Sequence, residues 1–307
     1  MASTEEEVTR NLKKRKREET FEASIKVCAW NIQRRACFAH PKSKPNSAAL
    51  KRAITQLCAD YDIVMITEPN KSFYAAVNSG GSTNSSAKKT LPGGGAWICN
   101  NTPDNQSDPH ACRPVLFIGD KFGCTPKNIR FKSGAKSAFR YPCSAIVQLP
   151  DVAPILVMSF HATSGGGGKN TQNLLDSIDD KTKNKLGAFL VGGDLNCSSA
   201  QYGGTFAPAG PTHQSGHVLD GFAGDGLEAL DHTSSIQLQG SVIIAPGFQL
   251  ILEAQGMKSD KYGCFTQADA AFKYKLSDHA PVCATFKVVT TYDEDVKPND
   301  LKRAKTQ

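Results

Sequence analysis

The sequence has no apolar run approaching the roughly 20 residues that a helix needs to span a bilayer. Its first residues, MASTEEEVTR, lack the basic start and apolar centre of a signal peptide, so standard secretion is not indicated. The ten cysteines are Cys28, Cys37, Cys58, Cys99, Cys112, Cys124, Cys143, Cys197, Cys264 and Cys283. No two of them stand in C-x-x-C spacing, which removes the usual zinc and redox signatures. Several lie in apolar runs, as Cys28 and Cys283 do, where a thiol acts as a small buried hydrophobe. Reduced, structural cysteines are therefore expected. There is no internal repeat. What remains is 307 residues of ordinary balance, 39% apolar and 21% charged, enough for one large α/β domain or two small ones. The 26 glycines and 16 prolines forecast many loops.

The net charge is +7, and it belongs to the body of the chain. Residues 1–20 carry six basic and five acidic residues, and residues 291–307 carry four of each, which leaves +6 between them. That excess favours an anionic partner such as nucleic acid or phospholipid. Residues 1–22 and 291–307 are polar and without apolar periodicity, so both read as disordered tails around a folded unit at 23–290. Within the first tail, Lys13, Lys14, Arg15, Lys16 and Arg17 form a basic cluster that suits nuclear import, or else a solvated charge run. A nuclear or cytoplasmic location is expected, with delivery into another cell left open, and a monomer is the default.

Strand and helix signals alternate between the tails. IKVCAWNI (25–32), DIVMITE (62–68), RPVLFIGD, YPCSAIVQL, APILVMSFHA and GAFLVGGDLN read as short strands, with YPCSAIVQL and APILVMSFHA joined by a hairpin. HVLDGFAG, GSVIIA, QLILEA and APVCATFKVV follow as further strands. SAALKRAITQLCADY has helical spacing at Leu50, Ile54, Leu57 and Cys58, and NTQNLLDSIDDKTKNKL is also helical. Residues 78–95 and 100–110 read as long loops. The pattern fits two packed sheets with helices outside.

Polar residues fall where the apolar strands end. Asn31 follows Trp30, Glu68 ends IVMITE, His161 ends ILVMSF, and Asp194 and Asn196 follow AFLVGG. Asp220 interrupts HVLDGF, and Asp278 and His279 precede APVCATF. Strand ends on one rim of packed sheets can converge on one cleft. Carboxylates, amides and two histidines without a thiolate pair suit a hard, oxygen-loving cation, Mg²⁺ first, with Mn²⁺ or Ca²⁺ as substitutes. Alone, each residue has a plainer reading as a turn, a cap or a satisfied histidine, and His40, His110, His213, His217 and His232 are read that way. In SDHAPV (277–282) an acid stands beside a histidine, but neighbours on an extended chain point to opposite faces.

In chain order, CAWNIQ, ITEPN, SFHATSGG, VGGDLN, HVLDGF and SDHAPV resemble the motifs of the endonuclease/exonuclease/phosphatase superfamily. That group includes deoxyribonuclease I, abasic-site endonucleases and inositol-polyphosphate 5-phosphatases. HATSGGGG, PTHQSGHVLDGF, RPVLFIGD and FRYPCSAI are similar in flavour to the catalytic subunit of cytolethal distending toxin. The resemblance spans about residues 24–290 and implies a four-layer α/β/β/α sandwich of two mixed sheets flanked by helices. It implies a Mg²⁺-dependent phosphodiesterase acting on DNA as an endonuclease. Dephosphorylation of a phosphoinositide or inositol phosphate and non-catalytic nucleic-acid binding are the alternatives.

The resemblance further implies Glu68 as principal metal ligand, with Asn31 beside it and Asp278 completing the metal's surroundings. Asp194 would orient or deprotonate water, and Asn196 would hold a phosphate oxygen. His161 and His279 would flank the phosphate, His279 being paired with Asp220 and His161 having no evident partner. Backbone N–H groups at Ser164 and Gly165 could approach a phosphate, or the glycine run could be a flexible linker. Arg140 is similar to a phosphate-contacting arginine of the toxin subfamily, or is an ordinary solvated arginine. Two departures stand out: Gly221-Phe222 after Asp220, where the family carries an aromatic directly, and Thr67 before Glu68, where many members carry Gln.

Overall fold

The computed structural model describes residues 18–33, 46–70, 73–74, 76–77, 91, 93–99, 113–127, 140–165, 168–178, 188–198, 211–213, 215–226, 235–244, 257–259, 265–267, 277 and 279–293. Lys13 to Arg17, Asp278 and the strand expected at QLILEA lie outside them.

Two sheets dominate. The first has six strands in the order β10 (Ser235–Ile244), β13 (Val282–Asp293), β1 (Glu18–Asn31), β2 (Ile63–Thr67), β4 (Val115–Ile118) and β3 (Ala96–Cys99). The second has five, β5 (Gly123–Pro126), β6 (Cys143–Gln148), β7 (Ile155–His161), β8 (Ala188–Asp194) and β9 (Asp220–Gly226). Each sheet holds one parallel pair, β1 with β2 and β7 with β8, among antiparallel neighbours. A small hairpin, β11 (Met257–Ser259) with β12 (Phe265–Gln267), stands apart. Strand β1 starts at Glu18 and β13 runs to Asp293, Glu18 pairing with Asp293, so the ladder reaches into stretches that read as tails. Ladder hydrogen bonds need no apolar side chains, so hydrophobic periodicity does not mark such an extension.

Alternation decides the layers. In β1, Ile25, Val27 and Ala29 face the second sheet, where Val157, Leu190 and Phe222 meet them in the central core. Cys28, Trp30 and Ile32 face the other way, against helix α1 (Asn46–Asp60). That helix presents Leu50, Ala53, Ile54, Leu57 and Cys58, a stripe at helical spacing. On the far side, Leu156, Met158 and Phe160 of β7 pack with Leu174 of helix α2 (Lys169–Ser177). The result is helix, sheet, sheet, helix. The helix expected over 170–186 is realised as Lys169–Ser177, and 179–187 fall outside the described residues.

Two glycines let the sheets close at one end. A Cβ at Gly192 would lie 2.4 Å from Phe222 and 2.5 Å from Met65 of the opposite sheet. Gly193 has φ +139°, and a Cβ there would meet the Phe160 carbonyl at 2.1 Å. Among the described residues, seven cysteines are free thiols and most are buried. No described helix is long and apolar enough to cross a membrane.

Candidate active site

The core's alternation runs on past the last apolar residues and turns polar. Register pairs His161 with Asp194 across β7 and β8, and Asp194 with Asp220 across β8 and β9. These three share the inward face of Val157, Leu190 and Phe222. On the opposite sheet Asn31 pairs with Thr67, and Glu68 follows at once. The strand ends of both sheets therefore meet at one rim, and His279 joins them just ahead of β13.

Distances tie the group together. Asn31 Nδ2 donates to Asp194 Oδ2 at 2.7 Å, a bond from one sheet to the other. Its Oδ1 accepts from the Gln33 N–H at 2.9 Å. His161 Nε2 lies 3.5 Å from both Glu68 Oε1 and Asp194 Oδ2. These two carboxylates are the neighbours of His161 that its sequence position did not reveal. His279 Nδ1 lies 2.7 Å from Asp220 Oδ2, and its Nε2 lies 3.8 Å from Asp194 Oδ2. The acid against the His279 ring is thus Asp220. A hydrogen bond at Nδ1 leaves Nε2 as the ring's outward-facing atom.

All of these groups are buried except Glu68, whose side chain is 20% exposed and forms the edge of the site. Burial, reinforced by the nearby Asp220, pushes Asp194 from its ordinary value of 3.8 up to about 7. His279, the Asn31 amide and the Asn196 N–H pull the other way without cancelling that rise. Glu68 and Asn196 both adopt left-handed backbone, φ +50° each, which is costly for a side chain such as glutamate. At Glu68 the turn ends β2 at the rim.

The remaining expected residues sit nearby. Asn196 donates its N–H to Asp194 Oδ1 at 3.0 Å and one amide N–H to the Ala162 carbonyl at 2.9 Å. Arg140 Nη1 reaches the same carbonyl at 3.3 Å, which places its guanidinium beside Asn196. Ser164 and Gly165 form an exposed turn beyond His161, and a Cβ at Gly165 would touch nothing within 4 Å.

Four residues were missed. Ser277 Oγ donates to the Asn31 carbonyl at 2.6 Å and accepts from the His279 N–H at 3.1 Å. Trp30 Nε1 donates to the His279 carbonyl at 2.9 Å, so His279 is held at both backbone groups. Thr212 bonds Asp220, and His213, read as an ordinary histidine, lies edge-to-face on the His279 ring at 4.6 Å. SDHAPV already contained Ser277, and PTHQSGHVLDGF contained Thr212 and His213, but no periodicity there shows where their loop passes.

A family model described as Endonuclease/Exonuclease/phosphatase matches residues 28–279, which include every described rim residue from Asn31 to His279. The chain belongs to the endonuclease/exonuclease/phosphatase family. Among solved structures it aligns with an endonuclease/exonuclease/phosphatase family protein from Bacteroides thetaiotaomicron at 11% identity and TM-score 0.50, covering 91% of this chain and 99% of that one. Truncated TDP2 from Caenorhabditis elegans aligns at 12% identity and TM-score 0.47, over 86% and 97% of the two chains. Cytolethal distending toxin from Actinobacillus actinomycetemcomitans aligns at 14% and 0.43, over 85% and 97%. At such identities the Bacteroides alignment speaks to the fold alone. No curated protein matches the sequence.

Enzymes of the endonuclease/exonuclease/phosphatase family hydrolyse phosphoester bonds and depend on a divalent metal. The residues here fit such an ion. Glu68, His161 and Asp194 each offer one ligand atom, all within 4.8 Å of one another. Two carboxylate oxygens and one imidazole nitrogen suit a divalent cation. The unfavourable burial of the Asp194 charge is what a neighbouring cation would offset.

Proposed function

We propose that this protein is a Mg²⁺-dependent phosphodiesterase and that its substrate is DNA, cut as by an endonuclease. The observation that carries the reading is the convergence of His161, Asp194, Asp220 and His279 with Asn31 and Glu68 on one rim, with His279 Nδ1 held 2.7 Å from Asp220. Phosphodiester hydrolysis needs an activated water, charge relief on the phosphoryl oxygens and an in-line geometry. Glu68 would hold the cation, with His161 and Asp194 as the nearest further donors and Asp278 as an expected one. The bound ion supplies charge relief on the phosphate.

The chain's own groups do the proton work. Asp194, held on the inner face beside His161 and His279, is placed to orient the attacking water or take its proton. Asn31 and the Asn196 N–H fix both of its oxygens. His279, with Nδ1 on Asp220, presents Nε2 to carry a proton at the phosphate. Asn196 and Arg140, sharing the Ala162 carbonyl, bring donors suited to phosphate oxygens. The charge of the body supports a polyanionic substrate.

Nicking of supercoiled plasmid with Mg²⁺, with and without chelator, tests this beside phosphate release from a phosphoinositide. Wild type should nick only with metal, and Glu68→Gln and His279→Ala should lose about 100-fold or more. Phosphate release without nicking would move the substrate to phosphoinositides, and cleavage of neither substrate would overturn the enzyme reading. For Lys13 to Arg17 as an import signal, a fluorescent fusion lacking them should stay out of the nucleus, and equal entry would remove that role.

A further inference from the structure

Thr212, in the loop ahead of β9, has no part in the chemistry so far, yet it is fully buried and its hydroxyl is fully engaged. It accepts from the backbone N–H groups of Leu219 at 3.0 Å and Asp220 at 3.1 Å. It lies 2.7 Å from Asp220 Oδ2. With both lone pairs taken by N–H donors, the hydroxyl proton points to the carboxylate. That same oxygen receives His279 Nδ1 at 2.7 Å, while Asp220 Oδ1 is buried with no hydrogen-bond partner among the described residues. A second link runs through the backbone: the Thr212 carbonyl accepts from the Ala280 N–H at 2.7 Å, and His213 bridges to His279.

We propose that Thr212 is a positioning residue for His279, acting through Asp220 in a chain Thr212 Oγ–H, Asp220 Oδ2, His279 Nδ1–H. A carboxylate can offer either oxygen by rotation. The hydroxyl pins Asp220 so that Oδ2 faces the imidazole, which fixes the His279 tautomer and aims Nε2 outward. A histidine moves protons efficiently only when such a partner orients it. The assignment rests on the phosphodiesterase reading, but its geometry can be tested apart from it.

Thr212→Val removes the hydroxyl and keeps the shape, whereas Thr212→Ser keeps the hydroxyl. Thr212→Val loses the bond to Asp220 Oδ2 and also leaves the Leu219 and Asp220 N–H groups without their acceptor, so its melt is compared with wild type first. With Mg²⁺ and plasmid substrate it should lower kcat about 10-fold, with KM changed less than about twofold. Thr212→Ser should stay within about threefold of wild type. Proton NMR gives the second readout: a downfield Nδ1–H signal, assigned by its loss in His279→Ala, should persist in Thr212→Ser and shift or vanish in Thr212→Val. Unchanged kcat and signal in Thr212→Val, or a Thr212→Ser as impaired as Thr212→Val, would overturn the proposal. If Thr212→Val shows no cooperative melt, Thr212→Cys replaces it, and a kcat equal to that of Thr212→Ser would count against the hydroxyl. If wild type cleaves no phosphoester, the function reading fails and the NMR comparison alone decides Thr212.

Discussion

Asp194 sits almost fully buried with a second acid, Asp220, close by, and both make its proton hard to remove, while His279 pulls the other way. A carboxyl whose pKa is raised by folding binds its proton more tightly in the folded state, so its contribution to stability is present at low pH and lost as pH rises from about 4 to about 7. In chelator, the melting temperature of wild type should therefore fall across that window relative to Asp194→Asn, with the two close together near pH 4. Parallel curves from pH 4 to 8 would show that Asp194 is not perturbed. His279 and Asp220 act as one unit at this scale. His279→Ala should cost about 10²–10⁴-fold in rate. Asp220→Ala should cost little more once His279 is gone, and additive losses in that double-mutant cycle would mean the two work independently.

At the scale of elements, strands β7, β8 and β9 build the site by keeping their register to the last residue. His161, Asp194 and Asp220 stand side by side only because β7–β8 and β8–β9 pair without slip. The close approach at Gly192 and Gly193 brings Asp194 within reach of Asn31. Gly192→Ala should destabilise by about 1–3 kcal/mol, since Phe222 and Met65 side chains must give way. Gly193→Ala should cost more, because the obstacle is the Phe160 carbonyl and φ is +139°. Urea denaturation ranks the two, and a milder Gly193→Ala would contradict the packing argument. Much at this scale was legible beforehand. Strands β1, β2, β4, β6, β7 and β8 and helix α1 follow from apolar runs and the Leu50, Ile54, Leu57 stripe. Strands β3 and β5 were not: β3 is an apolar run of only four residues, AWIC, set between stretches that read as loops, and β5, GCTP, is largely exposed and offers no apolar run.

Across the whole molecule, the two sheets, two helices and the His279 and Thr212 segments must all be in place before the rim exists. Native structure should then bind a divalent ion that the unfolded chain does not, and the ion should stabilise the fold by mass action. Melting temperature should rise with Mg²⁺ concentration in wild type and fall back when chelator is added. In Glu68→Gln the rise should be largely lost. Equal rises in both would place the ion elsewhere.

The sequence by itself determined the long core strands, their order and the polar residues that end them. Alternation is a local property, so a polar residue at the inward parity after an apolar run announces a rim position at Asn31, His161 and Asp194. Only the tertiary structure decided which groups meet. Asp278 and His279 are neighbours in the chain, yet the acid on the His279 ring is Asp220, brought there by the β8–β9 register. Thr212 and Ser277, which complete the hold on His279, depend on the paths of loops, and those paths are set by the packing of two sheets rather than by any periodicity in the chain.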